Sequence, residues 1–325
     1  MAKAIRMHAT GGPDVLRWED HDPVPPGEGE ARVRHDAVGL NFIDVYHRTG
    51  VYALPLPVTP GLEGAGVVEA VGPGVTEVAA GDRVAYAGQP PGAYAEVRNI
   101  PAHRLVKLPP EITTRQAAGM MLKGMTARYL LRGCYPVTFG TTVLLHAAAG
   151  GVGSIVSQWA KHLGAMVIGT VGSTEKAERA RAHGCDHVIR YDQEDFVARA
   201  KEITLGKGVD VVYDSVGQAT FLKSLDCLRP MGTMVSFGQS SGKIAPLDIG
   251  ILSAKGSLFL TRPTIMTYTA KREALLAHAN DLFEVVRSGV VKIDITRTYP
   301  LAETAQAHRD LEARRTTGSV VLLPG

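Results

Sequence analysis

Cysteine is scarce in this chain: three in 325 residues, Cys134, Cys185 and Cys227, far apart and odd in number. Such a set builds no disulfide framework and suits a reducing compartment, so the expected location is the cytoplasm. No apolar run reaches the roughly 18 residues needed to cross a bilayer. The N-terminal stretch also lacks the apolar core of a secretory leader, and no membrane association is expected. Lysine and arginine nowhere form a run long enough for a dedicated nucleic-acid surface. With a net charge of +3 and a pI near 8.7, the chain is only mildly basic. Repeats and low-complexity tracts are missing too, which excludes solenoids and disordered arrays. What remains is a globular chain of two domains, with 45% hydrophobic residues to fill two cores.

What is present concentrates in His146-Ala147-Ala148-Ala149-Gly150-Gly151-Val152-Gly153. The apolar Val143-Leu144-Leu145 before it reads as a buried strand. After it, Val152, Ile155, Val156, Trp159, Ala160 and Leu163 recur at helical spacing until Gly164. Small residues at 148, 150 and 153 keep the spacing of a dinucleotide fingerprint, with Ala148 in the first glycine's place. A tight turn of this kind lets backbone approach a pyrophosphate and aims a helix N-terminus at it.

The next strand, Ala165 to Thr170, bears on which dinucleotide is bound. A free ribose 2′-hydroxyl usually meets an acid about 20 residues past the glycines. Here Gly172, Ser173 and Thr174 stand at the strand tip, with Lys176 just beyond. Hydroxyls and an ammonium suit a 2′-phosphate, so NADPH is the expected cofactor. Glu175 dissents, although a first-turn acid is common in helices. Lys176 reads either as a phosphate contact or as a solvated helix lysine.

Further strands are expected at 187–189, 209–213, 233–237 and 257–261, with helical patterns between them. Together they make the six strands of a doubly wound parallel sheet. Residues 1 to about 120 differ in character. Short β-rich pieces at 31–40, 64–71, 83–86 and 93–99 are separated by turns such as Pro23-Val24-Pro25-Pro26-Gly27. Residues 290–325 return to this character, ending on a strand at Val320-Val321-Leu322-Leu323, and a helix from Arg272 to Arg287 bridges back. The junction of the two domains is the expected place for a substrate cleft.

Gly61-Leu62-Glu63-Gly64-Ala65-Gly66-Val67-Val68, Val71-Gly72-Pro73-Gly74-Val75 and Ala80-Gly81-Asp82-Arg83-Val84 resemble the medium-chain dehydrogenase/reductase superfamily. Asn41-Phe42-Ile43-Asp44-Val45-Tyr46, Leu122-Lys123-Gly124-Met125-Thr126, Tyr213-Asp214-Ser215-Val216-Gly217, Val235-Ser236-Phe237-Gly238 and Thr261-Arg262-Pro263 narrow the likeness to the zeta-crystallin-like quinone oxidoreductases. The resemblance implies an α/β chain with a GroES-like β-rich catalytic domain (1–124 plus 266–325). It also implies a Rossmann domain (125–265), a doubly wound six-stranded parallel sheet.

Zinc members of the superfamily hold their metal through a Cys in the first motif, a His in a Gly-His-Glu motif and a later Cys. Those places hold Asn41, Leu62 and the cysteine-free segment around Lys123, and the four cysteines of the structural zinc lobe are missing. An amide and a leucine build no tetrahedral zinc site, so the expected enzyme is zinc-free. His183-Gly184-Cys185-Asp186-His187 has ligand letters, but its His-x-Cys-x-His spacing is too short for a metal. Without a Lewis acid, the expected reaction is hydride transfer from NADPH to an electron-poor quinone. A 2-alkenal or enone double bond is the alternative acceptor. A second alternative is a structural or RNA-binding protein that keeps NADPH, as relatives of this group can be, though nucleic acid is not favoured by so mild a charge.

By resemblance, residues 41–46 lie at the nicotinamide edge, so Phe42, Ile43 and Asp44 join the cofactor contacts. Asn41 is the candidate donor to a quinone oxygen. The phenols of Tyr46 and Tyr52 can stabilise an oxyanion or deliver a proton. The plain readings are a helix cap for Asn41 and packing for the tyrosines. Lys123 and Thr126 are expected to open the helix into the nucleotide domain and reach phosphate or ribose. Tyr191 resembles a residue beside the 2′-phosphate, or else covers a neighbouring helix. Ala149, Gly150, Gly151, Val152 and Gly153 form the pyrophosphate turn. Ser215, Phe237, Gly238, Gln239 and Ser240 end two strands where such sheets present ligands. Arg314 resembles an arginine that returns to the phosphates, with Arg315 beside it as a competitor. Asp44 and Asp214 are expected to order their loops. His146 is expected to be a satisfied interior histidine. A homodimer through the edge strand at 257–261 is implied as well.

Overall fold

The computed structural model describes residues 2–325, which form two compact units. One comprises the chain up to Met125 with Tyr268–Arg287 and Ile293–Gly325; the other comprises Thr126–Thr267 and Ser288–Lys292. No helix among the described residues is long and apolar enough to cross a membrane.

The first unit is β-rich. Strands β1 (Lys3–Met7) and β2 (Leu16–Asp20) form an antiparallel pair. A larger sheet is built on the long β3 (Glu30–Leu40), whose N-terminal half alternates charged outward residues with inward Ala31, Val33 and His35. Around it lie β4 (Glu63–Val71), β5 (Arg83–Ala87), β6 (Val97–Pro101) and β7 (Val106–Lys107). Two C-terminal strands, Ile295–Pro300 and Ser319–Leu323, complete it; the second pairs antiparallel with the C-terminal half of β3. Ile5, Val33, Val68, Val84, Ile100, Leu105 and Val320 share one core, so the C-terminal residues are part of this fold.

The strand expected at 93–99 lies further on, at Val97–Pro101. The backbone of 93–95 bends at Tyr94 and spends its hydrogen bonds on separate partners. Ala93 N–H donates to the Gly61 carbonyl at 3.1 Å and Tyr94 N–H to Pro60 at 3.0 Å, while the Tyr94 carbonyl accepts from Ile5 N–H at 2.8 Å. This arrangement buries the Tyr94 ring.

The second unit is a six-stranded parallel sheet. Its strands are β8 (Thr142–His146), β9 (Met166–Val171), β10 (His187–Arg190), β11 (Val209–Asp214), β12 (Leu228–Ser236) and β13 (Phe259–Thr261). Their spatial order, β10-β9-β8-β11-β12-β13, reverses direction beside β8, as a doubly wound Rossmann sheet requires. Leu144, Ile168, Ile189, Val212 and Met234 fill its core. Two strand limits shift from the expected ones. Ser257 takes a left-handed φ of 58°, which delays β13 until Phe259. Strand β12 starts earlier, at Leu228, because that residue pairs with Val209 across an irregularity in the register.

Candidate functional site

Asn41 ends the extended run of β3 and starts helix α1 (Phe42–Arg48). Its N–H donates to Asp44 Oδ2 at 2.9 Å, which ties the first turn to its own cap. Its side-chain Nδ2 donates to Glu63 Oε2 at 2.8 Å. Lys123 Nζ reaches the same oxygen, also at 2.8 Å, and Leu122 N–H fills Glu63 Oε1 at 2.8 Å. Glu63 is fully buried and Lys123 only 5% exposed. A Cβ on Gly39 would overlap the Glu63 carboxylate and the Ala118 carbonyl oxygen, so a glycine in β3 makes room for this cluster.

Lys123 and Thr126 do not open a helix. Both sit in the C-terminal half of helix α2 (Thr114–Tyr129), because its helical run starts well upstream at Thr114. Lys123 is tied to Glu63, a residue to which the sequence reading assigned no role. The available signal was a lone carboxylate inside the otherwise apolar stretch 61–68, which burial obliges to find a cation.

Asp44 belongs to a second buried chain. Its Oδ2 also accepts the Tyr94 hydroxyl at 2.8 Å, and that hydroxyl lies 3.2 Å from His308 Nε2. The other ring nitrogen, Nδ1, faces Arg48 Nη1 at 3.5 Å, and Arg48 forks onto Glu312 at 2.7 and 2.8 Å. Burial pulls His308 down to about 3, helped by Arg48, so the ring is neutral at pH 7. A guanidinium beside Nδ1 assigns the proton to Nε2. Every donor then points the same way, from Arg48 through His308 and Tyr94 to Asp44. Burial pushes the Asp44 carboxyl up to about 7, against the hydrogen bonds from Tyr94 and Asn41. Its Oδ1 is buried with no partner among the described residues.

Three rings step along the surface of α1. Phe42 lies 5.4 Å from Tyr46, and Tyr46 lies 5.2 Å from Tyr52 edge to face. The structure thus brings Asn41, Phe42, Ile43, Asp44, Tyr46 and Tyr52 into one short segment. Tyr46 is buried, and Tyr52 is partly exposed.

In the second unit, the glycine turn leaves β8 with Ala147 at φ 54°. Gly150 caps helix α3 (Gly151–His162), whose first turn holds no acid. A Cβ on Gly153 would overlap the Ala147 carbonyl oxygen, so the helix sits tight on the turn. Ala149, Gly150, Gly151 and Val152 line this turn. Its unpaired first-turn N–H groups and the positive end of the helix dipole fit a pyrophosphate.

At the tip of β9, Ser173 caps helix α4 (Thr174–Ala182), its Oγ accepting from Lys176 N–H at 3.3 Å. Tyr191 is 45% exposed and lies with its hydroxyl against Gly172, where a Cβ would overlap it. Asp214 accepts from Val216 and Gly217 N–H at 2.7 and 3.0 Å and from the Thr220 hydroxyl at 2.7 Å. It thereby orders the loop that carries Ser215. The loop after β12 is stitched to that one, since Ser240 N–H donates to the Ser215 carbonyl at 3.2 Å. Arg262 braces Phe237 to Ser240 by donating to the Gly238 carbonyl at 2.7 Å and to Gln239 Oε1 at 3.3 Å. No role was expected of Arg262, although an arginine just past an edge strand was a readable signal. His146 is satisfied, with 2.8 Å bonds to Thr170 and Ser224. Arg314 follows a helix at Thr304–Glu312 with a left-handed φ of 58°, while Arg315 bonds Asp310 at 3.4 Å.

These donor sets fit NADPH and do not fit zinc. The three places that hold ligands in zinc relatives carry an amide bonded to Glu63, a fully buried leucine and a segment whose lysine is ion-paired.

Comparison with known proteins gives the same family. The alcohol dehydrogenase GroES-like domain model matches residues 27–110, and the zinc-binding dehydrogenase model matches 151–280. Over 325 residues, the whole of both chains, the protein is 53% identical to a quinone oxidoreductase of Pseudomonas aeruginosa. The chain belongs to the quinone oxidoreductase family. It is also 47% identical to a 2-haloacrylate reductase of Burkholderia sp., covering all of this chain and 99% of the relative. The crystal structure of Escherichia coli quinone oxidoreductase complexed with NADPH superposes with a TM-score of 0.98 at 49% identity, covering 99% of this chain and all of the other. That likeness places the α3 turn within an NADPH-binding fold.

Proposed function

We propose that the protein transfers reducing equivalents from NADPH to a quinone without a metal. The observation that carries this reading is the cluster in which the Asn41 amide and the Lys123 ammonium share Glu63 Oε2. It puts a hydrogen-bond donor and a fixed cation at the two places where zinc relatives keep cysteine thiolates. NADPH supplies the hydride when bound. Asn41 Nδ2 carries two protons, and Glu63 takes one. The second is the proposed donor to a quinone oxygen as negative charge develops on it. Glu63 holds the amide at a fixed angle, so little reorganisation is needed during reaction. Tyr46 and Tyr52, packed edge to face, offer their phenols as candidate proton donors.

The proposed cofactor contacts are divided between the two units. Phe42, Ile43, Asp44, Lys123 and Arg314 belong to the first; Thr126, residues 149–153, Gly172, Ser173, Lys176, Tyr191, Ser215 and residues 237–240 belong to the second. A cytoplasmic location is supported by the low cysteine content, with no disulfide among the three, two of them buried with thiols pushed up by burial. A homodimer through β13 is supported by its edge position and by Phe259, 63% exposed on it.

The 2-haloacrylate reductase among the relatives favours one further reading, transfer to an activated carbon–carbon double bond. NADPH oxidation with 1,4-benzoquinone, run beside a 2-alkenal and NADH, separates the two. NADPH-selective turnover of the quinone, unchanged after chelation, supports the proposal; faster alkenal turnover replaces the acceptor. Tight NADPH binding with no turnover of either would favour a non-enzymatic role.

A further inference from the structure

The parallel register of β9 and β10 sets Arg190 directly beside Val171, the last residue of β9. The two strand ends therefore emerge side by side. One runs into Gly172-Ser173-Thr174 and the other into Tyr191-Asp192. Tyr191 N–H seals the pair by donating to the Val171 carbonyl at 3.1 Å. From this position Arg190 turns its guanidinium onto the start of α4, where Nη1 donates to Thr174 Oγ1 at 2.7 Å. Nε and Nη2 hold Asp192 at 3.3 and 2.6 Å. A guanidinium has five N–H donors, and these bonds use three.

We propose that Arg190 is a ligand of the cofactor's 2′-phosphate and a determinant of the preference for NADPH over NADH, held in place by Thr174. The proposal rests on NADPH being the cofactor. It adds to Ser173, Lys176 and Tyr191 a planar cation able to take a phosphate in a two-point hydrogen bond, which an ammonium cannot do. Charge balance at the strand tip agrees. Asp192 offsets Arg190 in an exposed pair that contributes little by itself. A phosphate monoester carrying more than one negative charge outcompetes a single carboxylate for the same fork. The Thr174 hydroxyl, fixed by its bond to Nη1, keeps oxygen lone pairs toward the guanidinium and its own proton for the phosphate.

The test is equilibrium binding of NADPH and NADH to the full-length protein, as wild type, Arg190→Gln and Arg190→Lys. Adenosine 2′-monophosphate serves as a competitor that lacks the nicotinamide. Glutamine keeps a donor for Thr174 and removes the charge. The expected result is that Arg190→Gln weakens NADPH and adenosine 2′-monophosphate by about tenfold to a hundredfold, the range of a charge-assisted hydrogen bond. NADH should change by less than about twofold, and Arg190→Lys should recover part of the loss. The dependence of NADPH affinity on salt should also flatten in Arg190→Gln. If both cofactors weaken equally, or neither does, Arg190 is only a strut for the 173–174 turn and the proposal is wrong. If the wild type does not discriminate NADPH from NADH, the NADPH reading fails and the proposal falls with it.

Discussion

Asn41 and Lys123, 82 positions apart in the sequence, meet on one oxygen: each donates to Glu63 Oε2 at 2.8 Å. The shared acceptor makes the buried ammonium and the candidate substrate donor one electrostatic unit. Removing any member leaves a charge or a polar group in a dry place.

Glu63→Gln therefore strands the Lys123 ammonium. Breaking a buried ion pair from one side costs about 3–5 kcal/mol, whereas replacing both partners by apolar or neutral groups is far less costly. Urea denaturation should show that loss for the single variant and recovery of at least half of it in Glu63→Gln/Lys123→Met.

Tyr94→Phe keeps the edge-to-face packing on His308 and removes the hydroxyl between His308 and Asp44. The His308 Nε2–H then has no acceptor. The expected cost is about 1–3 kcal/mol, typical of an unsatisfied buried polar group. A loss of under about 0.5 kcal/mol in the same denaturation assay would contradict the directed chain drawn from Arg48 to Asp44.

Stability should depend on pH through groups that pull in opposite directions. His35 and His308 are lowered by burial from 6.5 to about 4 and about 3. Below about 6.5 the unfolded chain binds protons that the folded chain refuses, so these histidines make stability fall as the pH falls. Asp44 is raised from 3.8 to about 7. Its contribution is fully present below about 3.8 and is lost as the pH rises through about 7. Between pH 4 and 6.5, His308→Gln should flatten the rise of stability with pH, and Asp44→Asn should steepen it. Each change has a limiting slope of about 1.4 kcal/mol per pH unit. Denaturation midpoints at several pH values read both signs.

Gly39 and Gly172 should respond differently to alanine. At Gly39 the new Cβ meets a pinned carboxylate and a backbone carbonyl, neither of which can move. At Gly172 it meets only the far end of the half-exposed Tyr191. Gly39→Ala is expected to cost about 2 kcal/mol or more, in the range of overpacked cores. Gly172→Ala should leave the melting temperature nearly unchanged but weaken NADPH binding by moving Tyr191.

The sheet of the second unit was readable because buried parallel strands are continuous apolar runs and the glycine turn announces its helix. The β-rich unit was less so. The stretch 93–99 has strand composition, yet which of its residues join a ladder depends on Pro60, Gly61 and Ile5, distant in sequence. The Asn41 end of α1 was legible from the motif. Glu63 was not, because its importance lies in one side-chain amide, one backbone N–H and one cation brought to it from positions 41, 122 and 123. Arg190 escaped for a similar reason: only the lateral register of β9 and β10 places it over Thr174.

The most direct measurement compares quinone reduction at saturating NADPH in the wild type and Asn41→Ala, with NADPH affinity measured on both. The account predicts turnover of 1,4-benzoquinone by the wild type. Asn41→Ala should lower kcat/KM for the quinone by about tenfold or more, the usual effect of removing one oxyanion donor being larger still, and leave the NADPH Kd within about twofold. A wild type that does not turn over the quinone, or an Asn41→Ala variant as fast as wild type, would contradict it.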